Sequence, residues 1–404
     1  MTVGHLTTPY GAAAHLFYNR ESRMVHAVPI GTAHLLEHLL FEREAGAVDD
    51  LFHSIGAECG AFTTDTQLTF YFKTPEHVDH CLKLLLDMVY RPAFGLHQLA
   101  REQQVIAHEL RGVWNDPDVL AKQNLMQALF TSYSPSLAAS IANEEVRDGT
   151  REQVLLCHQA ICQPLRMLLT VVGDVEPQLV EKAVESYFDS NPWPQNAPLE
   201  RLVQLESFKV REHQLVTYLQ HAHPLVKVGV KDRPVIERGL QLLIRNLLTE
   251  IVLQIVFDPD GPLTASLLAD GLIEEPLVCS YHVNSTLGYV EISGLSNSPF
   301  QLNRRLLTVI SRLAQQVLPN DDFERRKRVM IGYCVQALDN IEAFGLAATD
   351  CFFDGIDLFS TVEAIRGLRL TQAQERLEIL FNQARMASSF VLPEELADQL
   401  IADA

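Results

Sequence analysis

The sequence has few features of a secreted, nucleic-acid-binding or membrane-spanning protein. Its seven cysteines are odd in number, scattered over 404 residues and without a CxxC pair, so we interpret them as reduced thiols. Only 32 Lys and Arg oppose 51 Asp and Glu, and the net charge of −19 disfavours nucleic acid and anionic lipid as partners. Because the first residues lack the basic and apolar regions of a signal peptide, we expect a cytoplasmic protein.

Long apolar runs and phosphate-binding loops are also lacking. The most apolar long segment, residues 239–257, is interrupted by Arg245 and Glu250 and therefore predicts a buried helix rather than a membrane span. No Gly-rich phosphate loop occurs. The stretch GLSNS at 294–298 lacks the last glycine of a nucleophile elbow. Hydrophobic residues still make up 47% of the chain, which is enough for sizeable folded cores.

The chain divides into two halves at a proline-rich linker. Three prolines fall within NPWPQNAP at 191–198, so we predict a metal-binding half at 1–192 and a second half at 199–404. At a constant offset of 224, the helical pattern at 99–116 matches the pattern at 323–340. The match suggests that the two halves are related, although helical patterns also match by chance.

Strand and helix patterns are mixed within each half. Residues 67–74, 167–174 and 288–295 have strand patterns, whereas apolar periodicity predicts helices at 77–90 and 301–317. Each half is long enough for one sheet with helices on one face, which predicts the α+β class.

One stretch concentrates residues that bind metals. In GTAHLLEHLLFE, residues 31–42, His34 and His38 are four positions apart and Glu37 directly precedes the second histidine. Positions i and i+4 of a helix share a face, so both imidazoles could reach one zinc ion. Glu37 lies near that face and could accept a proton from a water that the metal activates. A lone histidine on an apolar helix is usually structural, but the order H-x-x-E-H favours a metal site.

A third ligand should come from another helix. Glu109 lies 71 residues after His38, and Glu102 precedes it by seven residues, two helical turns away on the same face. One of these carboxylates could bind the metal while the other supports the site. At the offset of 224 the second half has Arg326 and Tyr333 instead, and it contains no H-x-x-E-H. The acidic pair therefore occurs only in the half that carries the histidines.

These motifs resemble those of the M16 zinc peptidases, the family of pitrilysin, insulin-degrading enzyme and the mitochondrial processing peptidases. GTAHLLEHLLFE is similar to the family pattern G-x-A-H-x-x-E-H-x-x-F, and GAECGAFTTDTQLTFYF resembles the strand after the metal helix. VVGDVEP and FDPDGPLTASLLADGLIEEPL extend the similarity to nearly the full length. The resemblance is greatest to the short, two-domain bacterial branch, which includes a paired subunit associated with modification of elongation factor P.

The resemblance implies a fold and a role for each residue of the motif. The fold would be two homologous halves, each a mostly antiparallel sheet with helices on one face, as in the LuxS/MPP-like metallohydrolases. His34, His38 and Glu109 would bind zinc, Glu37 would be the general base, and Glu102 would be a carboxylate that supports the ligands.

The resemblance also implies where a substrate would bind. The strand at Gly60, Ala61, Phe62 and Thr63 would pair with an extended peptide by strand addition. The family usually has Asn at the position of Gly60. An Asn side chain can hold a substrate carbonyl and Gly cannot, so the resemblance does not extend to this substrate contact, whereas the expected zinc binding is unaffected.

A homologous partner is a further implication of the family. Active members place an Arg and a Tyr beside the substrate, in a segment of the second half or of a partner that resembles L-R-x-x-x-G-L-x-Y. In the matching stretch at 266–277 these positions are Leu267 and Glu274, and no Arg occurs between 246 and 303. We therefore expect a heterodimer, with a homodimer as the alternative.

Three functions remain open from the sequence. The first is a zinc metalloendopeptidase subunit that hydrolyses peptides or unfolded segments in a closed chamber. The second is a non-catalytic scaffold or core subunit of the same fold. The third is an ordinary binding protein with chance histidines. The intact set of His34, Glu37, His38 and Glu109 favours the enzyme.

Overall fold

A computed structural model gives the structure of the chain. It describes residues 1–43, 46–131, 149–194, 199–202, 206–220, 222–284, 287–381 and 385–395. At 110–114 it describes only the backbone. The strands are β1 Thr2–Thr8, β2 Leu16–Asn19, β3 Met24–Ala27, β4 Glu42–Arg43, β5 Gly46–Ala47, β6 Glu58–Thr63, β7 Leu68–Thr74, β8 Leu168–Gly173, β9 Leu199–Arg201, β10 Gln214–Leu219, β11 Leu225–Lys231, β12 Val278–Val283, β13 Gly288–Leu295 and β14 Arg385–Pro393.

The helices alternate with these strands along the chain. They are α1 Thr32–Leu40, α2 Val48–Ser54, α3 Val78–Tyr90, α4 Leu96–Trp114, α5 Pro117–Leu129, α6 Arg151–Ile161, α7 Pro177–Ser190, α8 Leu240–Val256, α9 Pro262–Ala269, α10 Pro299–Leu313, α11 Asn320–Ala337, α12 Ile341–Asp354, α13 Thr361–Gly367 and α14 Leu370–Phe381. Within the described part of the chain, none of them is long and apolar enough to cross a membrane.

The chain forms two compact units that exchange segments. Unit 1 comprises Met1–Arg111, Ser134–Val203 and Ala337–Phe353. Unit 2 comprises Gly112–Tyr133, Gln204–Gln336 and Asp354–Ala404. Helix α5 from the first half therefore belongs to unit 2, and most of α12 from the second half belongs to unit 1. The predicted division at 1–192 and 199–404 did not include this exchange.

Unit 1 is built on an antiparallel sheet of strand order β6-β7-β1-β8. Its core lies between this sheet and helices such as α1 and α3. Phe70 of β7, Leu36 of α1 and Leu85 of α3 are completely buried there. Burial of one such side chain stabilises the fold by about 1.5–3 kcal/mol, so this core fixes α1 against the sheet.

Helix α12 packs on the opposite face of the same sheet. A side chain at Gly345 would be 2.8 Å from the ring of His5, so glycine permits the close approach of helix and strand. Thr349 and Thr170 share a hydrogen bond of 2.8 Å across this contact. Polar residues of the sheet are therefore covered by a helix from the other half of the sequence.

Unit 2 repeats the arrangement with a sheet of strand order β10-β14-β11-β13-β12, in which only β10 and β14 pair in parallel. Helix α5 begins with Asp116 as its N-cap and lies on this sheet. There a side chain at Gly229 would be 2.7 Å from Leu129, so glycine again permits close packing.

Helices α4 and α11 begin 224 residues apart, at Leu96 and Asn320. The predicted α+β class with two related, mostly antiparallel halves is confirmed.

A buried ion cluster joins strand and helices in unit 2. Asp232 accepts hydrogen bonds from Arg245 and from the hydroxyl of Tyr281, each at 2.7 Å, and it also pairs with Arg376. Burial alone would raise the pKa of Asp232, but the two guanidinium groups outweigh burial and hold this pKa well below its usual range. The charge of Arg245, which interrupts the apolar segment, is thus paired with Asp232 and Glu237, and the segment is a buried helix as predicted.

Asp232→Asn is expected to destabilise unit 2 by about 3–5 kcal/mol near pH 7, because it leaves buried guanidinium groups without a countercharge. The folded pKa of Asp232 lies below the unfolded value of about 3.9, so the stabilisation is present above that pH. It is lost as the pH falls through the folded pKa. Urea unfolding followed by hydrogen exchange of α8 and β11 measures the loss, with exposed Asp270→Asn as the control. Equal stability of parent and variant at pH 7 would contradict the prediction.

Candidate metal centre

Helix α1 presents three polar side chains on one face. It begins after Gly31, whose φ of 87° is readily adopted by glycine. Its apolar residues are buried in the core of unit 1, namely Ala33, Leu35, Leu36, Leu39 and Leu40. His34, Glu37 and His38 remain half-buried on the other side. The apolar spacing of the sequence therefore determines which way the three polar side chains point.

The two imidazoles face each other at a distance that suits zinc. Nε2 of His34 and Nε2 of His38 are 3.3 Å apart. Two nitrogens that each lie 2.0–2.1 Å from a tetrahedral zinc ion would be separated by roughly 3.3 Å. Glu109 of α4 brings Oε2 to 3.7 Å from Nε2 of His38. The ligand atoms of all three residues lie within 4.8 Å of one another, so together they could hold one metal ion.

Glu102 and Glu109 occupy different environments. The Glu109 side chain is 48% exposed, on the open side of the cluster, whereas the Glu102 side chain is only 9% exposed. Oε2 of Glu102 lies 3.1 Å from Nδ1 of His38. When Nδ1 carries the proton and donates a hydrogen bond to this carboxylate, Nε2 keeps its lone pair. Nε2 is the nitrogen that faces His34 and Glu109.

Arg101 connects the two segments that carry the candidate metal ligands. Its guanidinium donates to Oε1 of Glu102 at 3.0 Å and also pairs with Glu42, just after α1. Glu102 is thereby held from two sides, by His38 and by Arg101. Arg101 belongs to no metal-binding motif, and only its position next to Glu102 in the sequence could have indicated its role.

Glu37 is held beside the histidines by a residue of the edge strand. The hydroxyl of Thr63, at the end of β6, donates to Oε2 of Glu37 at 2.5 Å. Burial raises the pKa of the Glu37 carboxyl, and the Thr63 hydroxyl and His38 partly oppose the increase. Burial and the neighbouring His38 lower the pKa of His34 to about 4, so His34 is neutral at pH 7.

The predicted substrate residues also lie near this cluster. Gly60, Ala61, Phe62 and Thr63 belong to β6, which is an outer strand of its sheet and pairs only with β7 among the described residues. The side chain of Thr63 contacts Glu37, a contact that was not predicted from the sequence. Strand alternation could have placed Thr63 on the side of α1, but could not have named its partner.

An α+β fold of two related halves, with two helical histidines and a glutamate from a second helix in one half, is the architecture of a metallopeptidase. Residues 22–143 match the model of Insulinase (Peptidase family M16), and residues 148–330 match that of the Peptidase M16 inactive domain. Together the two models span most of the chain. The chain belongs to the M16 peptidase family.

Individual relatives agree with this assignment. A Bacillus subtilis protein, Uncharacterized zinc protease YmfH, is 25% identical over 97% of this chain and 92% of its own length. A solved structure from Alicyclobacillus acidocaldarius, described as M16-like, has a TM-score of 0.88 at 24% identity, over 97% of this chain and 93% of the other. A protease from Helicobacter pylori has a TM-score of 0.81 at 16% identity, over 97% and 94% of the two chains. The structural similarities confirm the fold.

The chain is expected to bind about one zinc ion, because the two imidazole nitrogens lie at tetrahedral spacing and a carboxylate oxygen of Glu109 lies 3.7 Å from one of them. His38→Ala should abolish binding, whereas exposed His53→Ala should not affect it. Since the pKa of His34 is about 4 in the metal-free protein, proton competition at this residue should become appreciable only near that pH. Metal analysis after dialysis against zinc buffer tests this. A chain that stays metal-free with both histidines intact would refute the site.

Proposed function

We propose that the chain is a zinc-dependent endopeptidase subunit that hydrolyses peptides or unfolded segments. The observation that carries this proposal is the convergence of His34, His38 and Glu109 on one point, with Glu37 beside them. Family membership supports a peptidase-type activity. The residues present fit a zinc ion in type, number and spacing.

The side chains around the cluster have complementary roles in this proposal. Zinc would supply Lewis acidity, which makes water a stronger acid and polarises a carbonyl group. Glu37 would accept the proton of the attacking water and later donate it to the leaving amine. Because Thr63 holds Oε2, the other carboxylate oxygen of Glu37 can take the proton. Glu102 would keep His38 in the tautomer that binds metal through Nε2.

An extended peptide would bind along the edge of β6. An outer strand presents unpaired N–H and C=O groups, which can pair with another extended chain. Thr63 links this edge to Glu37, so a peptide on β6 would lie next to the general base. This supports a substrate that is unfolded at the cleavage site.

A homologous partner would complete the site. Leu267, at the family's Arg position, is completely buried in the core of unit 2. Glu274, at its Tyr position, accepts a hydrogen bond from Asn297 at 2.9 Å. An apolar buried side chain cannot donate to a developing oxyanion, and an ionised carboxylate would repel it. We therefore assign both donors to a second M16 subunit, most simply in a heterodimer that encloses the substrate.

The alternative function is a non-catalytic scaffold of the same fold. Such a subunit has no need for a proton acceptor next to a metal cluster. The short contact of Thr63 with Glu37 and the contact of Glu102 with His38 instead favour the enzyme.

Glu37→Gln is expected to retain zinc and to lose hydrolysis by ~10²–10⁴-fold, because the amide has a similar shape but cannot take a proton. Hydrolysis of an unfolded fluorogenic peptide by the zinc-loaded chain, with its partner present, measures the change. The matched control is exposed Glu185→Gln on α7. Cleavage by Glu37→Gln at the parental rate would exclude this residue as the base.

The isolated chain is expected to be a weak peptidase, and its homologous partner should increase the rate by roughly 10²–10³-fold, the usual effect of one oxyanion donor. Peptide hydrolysis before and after mixing the two purified subunits tests this. An Arg→Ala variant of the partner, at its own L-R-x-x-x-G-L-x-Y segment, should remove the increase. Full activity of the isolated chain, with no gain on mixing, would contradict the prediction.

A further inference from the structure

The two faces of β6 differ in what they contact. Successive side chains of a strand point to opposite faces of its sheet. Cys59 donates to Asp49 of α2 at 3.2 Å, and Thr63 donates to Glu37 of α1, so these odd-numbered residues face the helices of the core. Gly60 and Phe62 consequently face the opposite side. The metal cluster uses only the first of these faces.

The space over Gly60 is occupied by a tyrosine of the neighbouring strand. Gly60 pairs directly with Tyr71 of β7. A Cβ at Gly60 would lie 2.9 Å from Cε1, 2.6 Å from Cζ and 2.4 Å from the hydroxyl oxygen of Tyr71. The ring therefore spans the distance of about 4.8 Å between β7 and β6, and its hydroxyl lies above Gly60 of β6. Only glycine at position 60 leaves room for it.

The ring of Tyr71 lies beside a lysine and a histidine, and its hydroxyl has no hydrogen-bond partner in the described part of the chain. Nζ of Lys73 lies 5.6 Å from the ring centroid, and the ring of His5 lies 6.3 Å from it. Among the described residues the Tyr71 hydroxyl makes no hydrogen bond. It is also not one of the buried polar atoms that lack a partner, so it is in contact with solvent. A positioned hydroxyl at the edge of the sheet thus has unused capacity to donate and to accept.

We propose that Tyr71 is a substrate-contacting residue that determines specificity at the position of the peptide opposite Gly60. The inference rests on the proposed peptidase function and on strand addition to β6. Residues directly opposite each other in neighbouring strands place their side chains on the same face. A peptide residue opposite Gly60 would therefore meet no side chain of β6 and would meet the hydroxyl of Tyr71.

The chemistry of this contact defines a class of substrate residue. A hydroxyl that both donates and accepts pairs with Ser, Thr, Asn or Gln. A large apolar side chain would bury the hydroxyl without a partner, which is unfavourable. The chain should consequently prefer a neutral polar residue at one fixed distance from the cleaved bond.

Peptide binding to the zinc-loaded Glu37→Gln chain tests the proposal without cleavage. A set of unfolded peptides, each varied at one position between Gln, Ser, Ala and Leu, is measured by fluorescence anisotropy, alone and with the partner subunit. In the same background, Tyr71→Phe should abolish the polar preference at one position and weaken the best peptide about three- to tenfold. Zinc content should not change. Tyr218→Phe, on β10 of unit 2, is the matched control.

Gly60→Ala provides an independent test. A methyl group there must displace the Tyr71 ring, so it should remove the same preference, and the double variant should bind no more weakly than either single variant. Unchanged peptide preference in Tyr71→Phe would overturn this inference and leave the peptidase proposal standing. No binding of any peptide, alone or with the partner, together with no cleavage by the parent chain, would overturn both.

Discussion

The hydrogen bond between His38 and Glu102 is the interaction on which the candidate site depends. It joins α1, fixed by its apolar face, to α4, which carries Glu109. It favours the tautomer of His38 that carries its proton on Nδ1, while apolar residues of both helices, such as Leu36 and Ile106, are buried in one core. Arg101 strengthens the connection, since it contacts Glu102 and Glu42 at once. The metal cluster is therefore part of a charged network that ties two helices together within unit 1.

In the proposed function, strand β6 would relate this network to a peptide substrate through both of its faces. On one face Thr63 orients Glu37, and on the other face the absence of a side chain at Gly60 admits Tyr71. A peptide paired with the free edge between these faces would contact Glu37, the proposed general base, on one side and the tyrosine hydroxyl on the other. The Asn side chain that the family usually has at position 60 is thus missing here. The hydroxyl of Tyr71, on the adjacent strand, replaces it as the polar group at this position.

The second half shows what the same helical framework does without a metal cluster. Arg326 stands at the offset of Glu102 and pairs with Asp258, while Tyr333, at the offset of Glu109, is exposed. Leu267 has become part of the core of unit 2. These residues serve packing and surface charge within unit 2. The two halves differ in the side chains at these positions and not in the placement of the helices, since α4 and α11 begin at equivalent positions of the two halves.

The sequence by itself determined the local elements and the identity of the polar cluster, because both depend on spacing along one segment. The predicted strand at 288–295 is β13, and the helix predicted at 77–90 is α3 to within one residue. Helical periodicity also placed His34 and His38 on one face. Only the tertiary structure decided the exchange of α5 and α12 between units, the contact of Thr63 with Glu37, and the position of Tyr71 over Gly60. The first two depend on contacts between segments that are separate in the sequence, and the third depends on the pairing register of β6 and β7; neither kind of contact leaves a periodic pattern in the chain.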